Sequence, residues 1–486
     1  MRNLTADGGP AAGCAAGRSG PGGLTRRGAL ASIAATAASP LLGRGAVAEP
    51  APSLPDGFVW GVSASAPQTE GRAGRGRSVW DAFAERPGAI KDGSDMAVGT
   101  GFERLYGTDI GLVAEAGLTA YRFSIAWPRV LPEGRGQASA AGLDLYDRVV
   151  DAMLARGLEP WPTLFHWDLP AALGTDWRDR DTAYALADYA AVAARRLGDR
   201  VRHWIILNEP NTVAHRGYAV GDFAPGVRSR EAYVAAAHHQ NLAQGLAARA
   251  LRAALPPGRP IGTALNLQTC RPADGAPESV EAARVIDDAW NRMPLDPLFR
   301  GRYPARFAPE LERVVRPGDL DVVAAGLDFL GVNNYARFYC RAAPEAVLGA
   351  EIGAPPPGVP LTALGSVEPD GLAETLGRLR TEYGNPPVVV TEAGASFKDP
   401  APVDGVVPDT ARAGFIRLYL RALAGAHRDG SDVRGALCWA ATDNWEWTSG
   451  FTQTFGLIAV DRATLRRTPK RSLSYLGACA RANAVL

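Results

Sequence analysis

Two glutamates stand where apolar, β-branched runs stop. Trp204-Ile205-Ile206-Leu207 leads into Asn208-Glu209-Pro210, and Pro387-Val388-Val389-Val390 leads into Thr391-Glu392-Ala393-Gly394. Runs of this length and composition read as buried strands. Pro210 disfavours helix at Glu209 and cannot donate to a sheet ladder, so the first strand ends with a carboxylate at its tip. One such glutamate would be a cap or an ion-pair partner. Two suggest a carboxylate pair meeting over one substrate, and acetal hydrolysis is the chemistry that needs such a pair. One carboxyl protonates the departing oxygen, while the other stands opposite the anomeric carbon as nucleophile or as base for water. A separation of roughly 5 Å would imply a covalent intermediate and retention, and roughly 6.5–9.5 Å would imply inversion.

The environment must then distinguish the two groups. A nucleophile stays ionised if a cation and hydrogen-bond donors lie nearby, and Arg122 and Tyr335 are candidates for Glu392. An acid holds its proton if burial and a negative neighbour favour the neutral form, the role open to Glu209. Asn208, beside it, is a candidate donor to the sugar hydroxyl next to the anomeric carbon.

What must position these groups is visible along the chain. Strand candidates cover 58–65, 119–127, 159–167, 201–208, 260–268, 327–334, 387–391 and 433–440. Helical periodicity fills the gaps: Tyr146, Val149, Val150, Met153 and Leu154 form an apolar stripe, with Gly157 as C-cap, and 184–197, 232–255, 372–383 and 410–426 read alike. Eight near-continuous apolar strands alternating with helices predict an α/β fold, a single-domain (β/α)8 TIM barrel. Stretches such as 343–360 are then loops on the barrel. Such a barrel keeps its chemistry at the strand ends. Those ends carry Gln68 and Glu70, Arg122, His166-Trp167-Asp168, Asn208-Glu209, Asn266, Asn333 with Tyr335, Glu392, and Trp439 with Glu446. Trp439 and Trp447 suit sugar platforms, and His166 suits a sugar contact. Trp161, Trp204 and Trp290 read as packing residues, His238 and His239 as structural.

A formal net charge of +1 with no basic stripe argues against nucleic acid or an acidic membrane surface as partner. Residues 1–48 differ from the remainder. A Gly/Ala/Pro-rich start, Arg26-Arg27, a mild apolar stretch broken by Pro40 and Ala46-Val47-Ala48 read as a twin-arginine export signal and leader, too short for a permanent membrane anchor. The expected location is periplasmic or extracellular, with 49–486 as the working domain. Cys14 would leave with the leader, and Cys270, Cys340, Cys438 and Cys479 show no metal-ligand or disulfide-framework spacing. Cys270 and Cys340 follow neighbouring strands, but no bridge is expected.

From about Pro55 onward the chain resembles glycoside hydrolase family 1, the β-glucosidase-like enzymes. Ordered matches include Phe58-Val59-Trp60-Gly61 with Gln68, Glu70 and Gly71, then Tyr121-Arg122-Phe123-Ser124, Phe165-His166-Trp167-Asp168-Leu169-Pro170 and Leu207-Asn208-Glu209-Pro210. Further matches are Leu295-Asp296-Pro297, Val332-Asn333-Asn334-Tyr335, Thr391-Glu392 and Asp443-Asn444-Trp445-Glu446-Trp447. The resemblance implies Glu209 as acid/base and Glu392 as nucleophile, with net retention. It implies a pocket of Gln68, His166, Asn208, Trp439, Glu446 and Trp447 for a terminal non-reducing glucose-like unit of a β-glucoside or oligosaccharide. Asn333 and Tyr335, with Arg122, would support the nucleophile, and no metal or cofactor is called for. Retention of Glu446 points to an unphosphorylated sugar. Departures from the family pattern stand at Pro67, Ile206, Ala393 and Gly101–Arg104. Three readings stay open: a retaining β-glycosidase, a transglycosidase using the same site, and a catalytically silent sugar-binding barrel. Residues 212–232 and 341–369 would decide between the first two.

Overall fold

The computed structural model describes residues 53–486. The leader expected over 1–48, with its export signal, lies outside the described residues. Eight parallel strands close into a barrel: β1 (Val59–Ser63), β2 (Ala120–Ser124), β3 (Glu159–Phe165), β4 (Trp204–Asn208), β5 (Ile261–Asn266), β6 (Phe329–Asn333), β7 (Val388–Ala393) and β8 (Val433–Trp439). Each falls within or beside the run expected from sequence. Helices Ala140–Leu154, Asp181–Leu197, Arg230–Ala254, Asp370–Glu382 and Thr410–Arg428 cover the outside. Among the described residues no helix is long and apolar enough to cross a membrane.

Strand geometry explains the layering. Every strand sends one residue into an apolar plug low in the barrel: Val59, Ala120, Trp161, Ile205, Ala264, Phe329, Val389 and Leu437. Successive residues alternate faces, so the residue two places further on points into the next layer up. From β2, β3, β5 and β7 that layer is Arg122, Thr163, Asn266 and Thr391, and the interior turns polar towards the mouth. At Gly61 the strands leave no room for a side chain: a Cβ would lie 2.3 Å from the Ala120 carbonyl.

Two irregularities break the alternation where the chemistry lies. The β4–β5 register shifts between Ile205 and Asn208, and β7 shifts between Val390 and Ala393. A bulge re-aims the residues that follow it. Thr391 and Glu392 are therefore both buried against the interior, although strict alternation would turn one away. Beyond β7, a Cβ on Gly394 would meet the Trp439 carbonyl at 1.8 Å, so only glycine fits this close crossing.

The mouth carries more structure than expected. Cys270–Pro272, Phe338–Ala342 and Ala350–Gly353 form a three-stranded sheet over the ends of β5 and β6. The region 343–360 is therefore not loop throughout. All four described cysteines are free, and Cys270 lies against Cys340 between the first two of these strands.

Candidate active site

Near the end of β7, Glu392 meets the fixed positive charge of Arg122. Arg122 is fully buried: its Nη1 donates to Glu392 Oε1 at 2.5 Å, its Nη2 to Asn208 Oδ1 at 2.6 Å and its Nε to Thr163 Oγ1 at 3.1 Å. The Tyr335 hydroxyl donates to the other carboxylate oxygen of Glu392 at 2.6 Å. A planar guanidinium with all three nitrogens satisfied holds that carboxylate in one orientation. One arm also turns the Asn208 amide, whose Nδ2 then donates to His166 Nε2 at 3.0 Å. Burial pushes the His166 pKa well below the ordinary value, so the ring is a neutral acceptor at Nε2.

Glu209 has different company. Its backbone adopts the left-handed region, φ 48° and ψ 56°, between the last residue of β4 and a helix that begins at Pro210. Proline excludes ordinary helix for the preceding residue, and a non-glycine residue held in this region stores strain of the kind found at working sites. Its partners are neutral: Asn333 Nδ2 donates to Oε1 at 2.7 Å and Asn266 Nδ2 to Oε2 at 3.1 Å. Burial, then the charge on Glu392, push its pKa up to about 7 against the pull of these donors. The two carboxyls are thus set apart, one ion-paired and one poised to carry a proton.

Of the sequence-predicted site residues, Gln68, His166, Asn208, Glu209, Tyr335, Glu392, Trp439, Glu446 and Trp447 line one cavity of about 140 Å³, while Arg122 and Asn333 stand behind its lining. The His166 ring is near-parallel to the Trp439 and Trp447 rings, at 5.9 and 6.2 Å. Gln68 Nε2 donates to Asn444 Oδ1 at 3.0 Å and Glu446 Oε2 at 3.2 Å. Burial, with Glu392 and Glu209 adding repulsion, pushes Glu446 up to about 8 despite donors from Trp439 and Gln68.

Asn333 needs correction. It pairs with Glu392 in the strand ladder, but its side chain makes no hydrogen bond with that carboxylate: its Nδ2 donates to Glu209 and to Asn208 Oδ1, and its Oδ1 accepts from Thr391 Oγ1 at 2.7 Å. The cause is position: Asn333 ends β6, and its amide reaches across β5 to β4, while the longer Tyr335 spans the gap to Glu392. Sequence reasoning also missed a relay behind Glu209. Gln268 Nε2 donates to Asn266 Oδ1 at 2.6 Å, which fixes the Asn266 amide with its Nδ2 towards Glu209 and Thr212. Gln268 Oε1 in turn accepts from the Ala336 amide at 3.1 Å. Trp290, read as packing, lines the cavity with Arg216, Phe223, Phe338 and Leu364. It comes from an irregular helical turn, Asp288–Arg292, that no periodicity marks.

The family model for Glycosyl hydrolase family 1 matches residues 51–485. The chain belongs to that family. Curated family 1 relatives include the thermostable beta-glucosidase B of Thermobispora bispora, 39% identical with 86% of this chain and 89% of the relative covered. The bifunctional beta-D-glucosidase/beta-D-fucosidase of Bifidobacterium breve is 37% identical over 87% of this chain and 97% of its own. Among solved structures, the psychrophilic beta-glucosidase of Micrococcus antarcticus superposes with a TM-score of 0.83 at 39% identity, covering 89% of this chain and 98% of that one. The family 1 enzyme of Thermotoga maritima gives 0.84 at 33%, covering 90% and 100%.

Proposed function

We propose that this family 1 chain is a retaining β-glycosidase that removes terminal non-reducing β-D-glucosyl units, with Glu392 as nucleophile and Glu209 as acid/base. The observation that carries this reading is the contrast between two buried glutamates in one cavity. Glu392 faces a guanidinium and a phenol hydroxyl, whereas Glu209 faces neutral amides and is pushed up to about 7. Names of the similar proteins, beta-glucosidases for the most part, support a glucose-like sugar.

In the first step a Glu392 oxygen bonds to the anomeric carbon from the face opposite the departing oxygen. Glu209 gives its proton to that oxygen, the glycosidic bond breaks and the aglycone leaves as an alcohol. The glycosyl ester neutralises Glu392, which removes the repulsion that adds to burial in raising the Glu209 pKa. Glu209, now ionised, takes a proton from water. The hydroxide oxygen bonds to the anomeric carbon, the ester electrons return to Glu392, and a β-configured sugar departs. Arg122 and Tyr335 hold the nucleophile and receive its charge back. Asn208, fixed by Arg122, presents its amide beside the reacting centre. Gln68, His166, Trp439, Glu446 and Trp447 would bind the sugar, with neutral Glu446 able both to donate and to accept.

Proton NMR of the anomeric region during cleavage of an aryl β-glucoside tests this. The β-anomer appears first if the reading holds, and the α-anomer first would overturn it. We further propose that the chain is exported through the twin-arginine signal at Arg26-Arg27. Replacing both arginines by lysine should leave the activity inside the cell, as fractionation would show.

A further inference from the structure

Gln268, two residues past the end of β5, is buried, and one amide pins its backbone from both sides. Asn291 Oδ1 accepts from its N–H at 3.2 Å, and Asn291 Nδ2 donates to its carbonyl at 2.8 Å. An amide side chain has a donor end and an acceptor end, and its neighbours decide which faces where. For Gln268 they leave no choice. Its Oε1 meets the backbone N–H groups of Tyr335 and Ala336, at 3.4 and 3.1 Å, and these can only donate. It also meets Asn334 Nδ2 at 3.2 Å, whose own orientation is set by the Leu267 carbonyl. The Nε2 end must therefore face Asn266 and donate to its Oδ1.

That direction is passed on. With its Oδ1 taken, Asn266 offers only Nδ2 to its other neighbours, Glu209 Oε2 and Thr212 Oγ1, both at 3.1 Å. Glu209 Oε2 therefore always meets a donor and never an acceptor. A fixed donor favours the carboxylate, against the burial and the Glu392 charge that favour the acid. An acid/base group must take both forms within one turnover, so neither form can be held too firmly. The other ionisable groups around Glu209 leave this relay untouched. Glu446, Tyr335 and Arg122 make no bond from their ionisable atoms to Gln268 or Asn266. Burial holds His166 well down and His215 at about 4, and Arg216 is paired with Asp222.

Resting on the glycosidase reading above, we infer that Gln268 is a positioning residue for the second half of the reaction: it locks Asn266 with its donor towards Glu209, so that Glu209 can give up its proton and serve as base on the glycosyl ester. Gln268 acts through Asn266 and not on the carboxyl itself. The backbone N–H groups of Tyr335 and Ala336 are the source of the polarity, and two side-chain amides carry it to the acid/base group.

The alkaline limb of kcat/KM for phenyl β-D-glucoside, a poor leaving group, reads the Glu209 proton and tests this. Gln268→Met keeps the size but frees Asn266 to turn its Oδ1 to a protonated Glu209, so the limb should rise by about half a unit to one unit. In Gln268→Glu the new carboxylate still accepts from the two backbone N–H groups but has no hydrogen to give. Asn266 must then turn its Nδ2 to that carboxylate and its Oδ1 to Glu209, and the limb should rise by more than about one unit. With 2,4-dinitrophenyl β-D-glucoside, where hydrolysis of the ester limits the rate and Glu209 must be ionised, kcat of Gln268→Met should fall about twofold to fivefold at pH 5. Asn266→Leu should raise the limb by itself, and adding Gln268→Met to it should move the limb no further. Should Gln268→Met fail to fold for want of an acceptor at Ala336, Gln268→Glu keeps that acceptor and decides alone. An unmoved limb in the Gln268 variants, or a further rise in the double variant, would overturn the inference while the parent still cleaves the two aryl glucosides. A parent that cleaves neither would instead sink the glycosidase reading, and this inference with it.

Discussion

Neutralising Glu392 should release the proton of Glu209. Burial is the larger cause of the raised Glu209 pKa, and the Glu392 charge is the next. A retaining pair stands roughly 5.5 Å apart, and unit charges at that distance in an effective dielectric of about 20 interact by about 3 kcal/mol. That energy corresponds to about 2 in pKa, so Glu392→Gln should bring Glu209 from about 7 to about 5. The remainder above an ordinary glutamate is the burial cost, reduced by donors from Asn333 and Asn266. Titration of side-chain ¹³C-labelled glutamate by NMR, with Glu209→Gln to assign the resonance, reads this directly. The same fall is expected in a trapped glycosyl ester, where the perturbation is the reaction's own. A Glu209 that titrates within about half a unit of its original value in Glu392→Gln would refute the proposed coupling, and with it the change of role from acid to base.

Other expectations follow from the same contacts. The kcat/KM for alkyl or aryl β-glucosides should fall as pH rises through about 7, because the acid form of Glu209 is then lost; pH-rate profiles check this. Glu209→Ala should lower kcat/KM about 10²–10⁴-fold for alkyl glucosides and much less for activated aryl glucosides, whose departure needs no proton, while kcat falls for both because the second step loses its base. Arg122→Met should destabilise the fold by about 3–5 kcal/mol and cost kcat at least about 10³-fold, since it leaves Glu392 buried without its cation; denaturant unfolding and kinetics read the two effects. Glu446 is held above its unfolded value, at about 8, so its contribution to stability is present below about 4.5 and is lost as pH rises through about 8. Glu446→Gln should therefore gain melting temperature relative to the parent chain between pH 5 and 9, with no such gain below pH 4.

The barrel was legible because its strands are buried on both faces. Runs such as Trp204 to Leu207 and Val388 to Val390 have no alternation to misread, and Pro210 and Gly394 mark their ends. Glu209, Glu392, Arg122 and Tyr335 were legible because strand ends in such a fold face one mouth. The partner of Asn333 was not, because it depends on how far one amide reaches across two strands. The bulges before Glu209 and Glu392 are equally silent in sequence, yet they decide which side chains face inward. Gln268 and Asn266 could have been suspected as a pair of amides two residues apart at the end of β5, positions that share a strand face. Trp290 and the sheet over the mouth gave no signal. Their segments are too short or too irregular for either period, and long-range contacts define them.

Glu209, Glu392 and Glu446 line the cavity; the Arg216 guanidinium on the same lining is paired with Asp222, and the buried Arg122 behind the lining is bonded to Glu392. Arg122 can neutralise only one, and geometry assigns it to Glu392. Burial first, and the charge of Glu392 second, then favour the neutral form of the other two, pushed up to about 7 and about 8. The charge on Glu392 raises both, and Glu209 adds a smaller push on Glu446. The same count explains why the nucleophile needs no further cation and why Glu209 answers so directly to the state of Glu392. Adding a second positive charge, for example Gln68→Lys beside Glu446, should therefore lower both pKa values together and move the alkaline limb of the rate profile to lower pH. A limb that stayed in place would show that burial alone, not the charge count, holds the proton on Glu209.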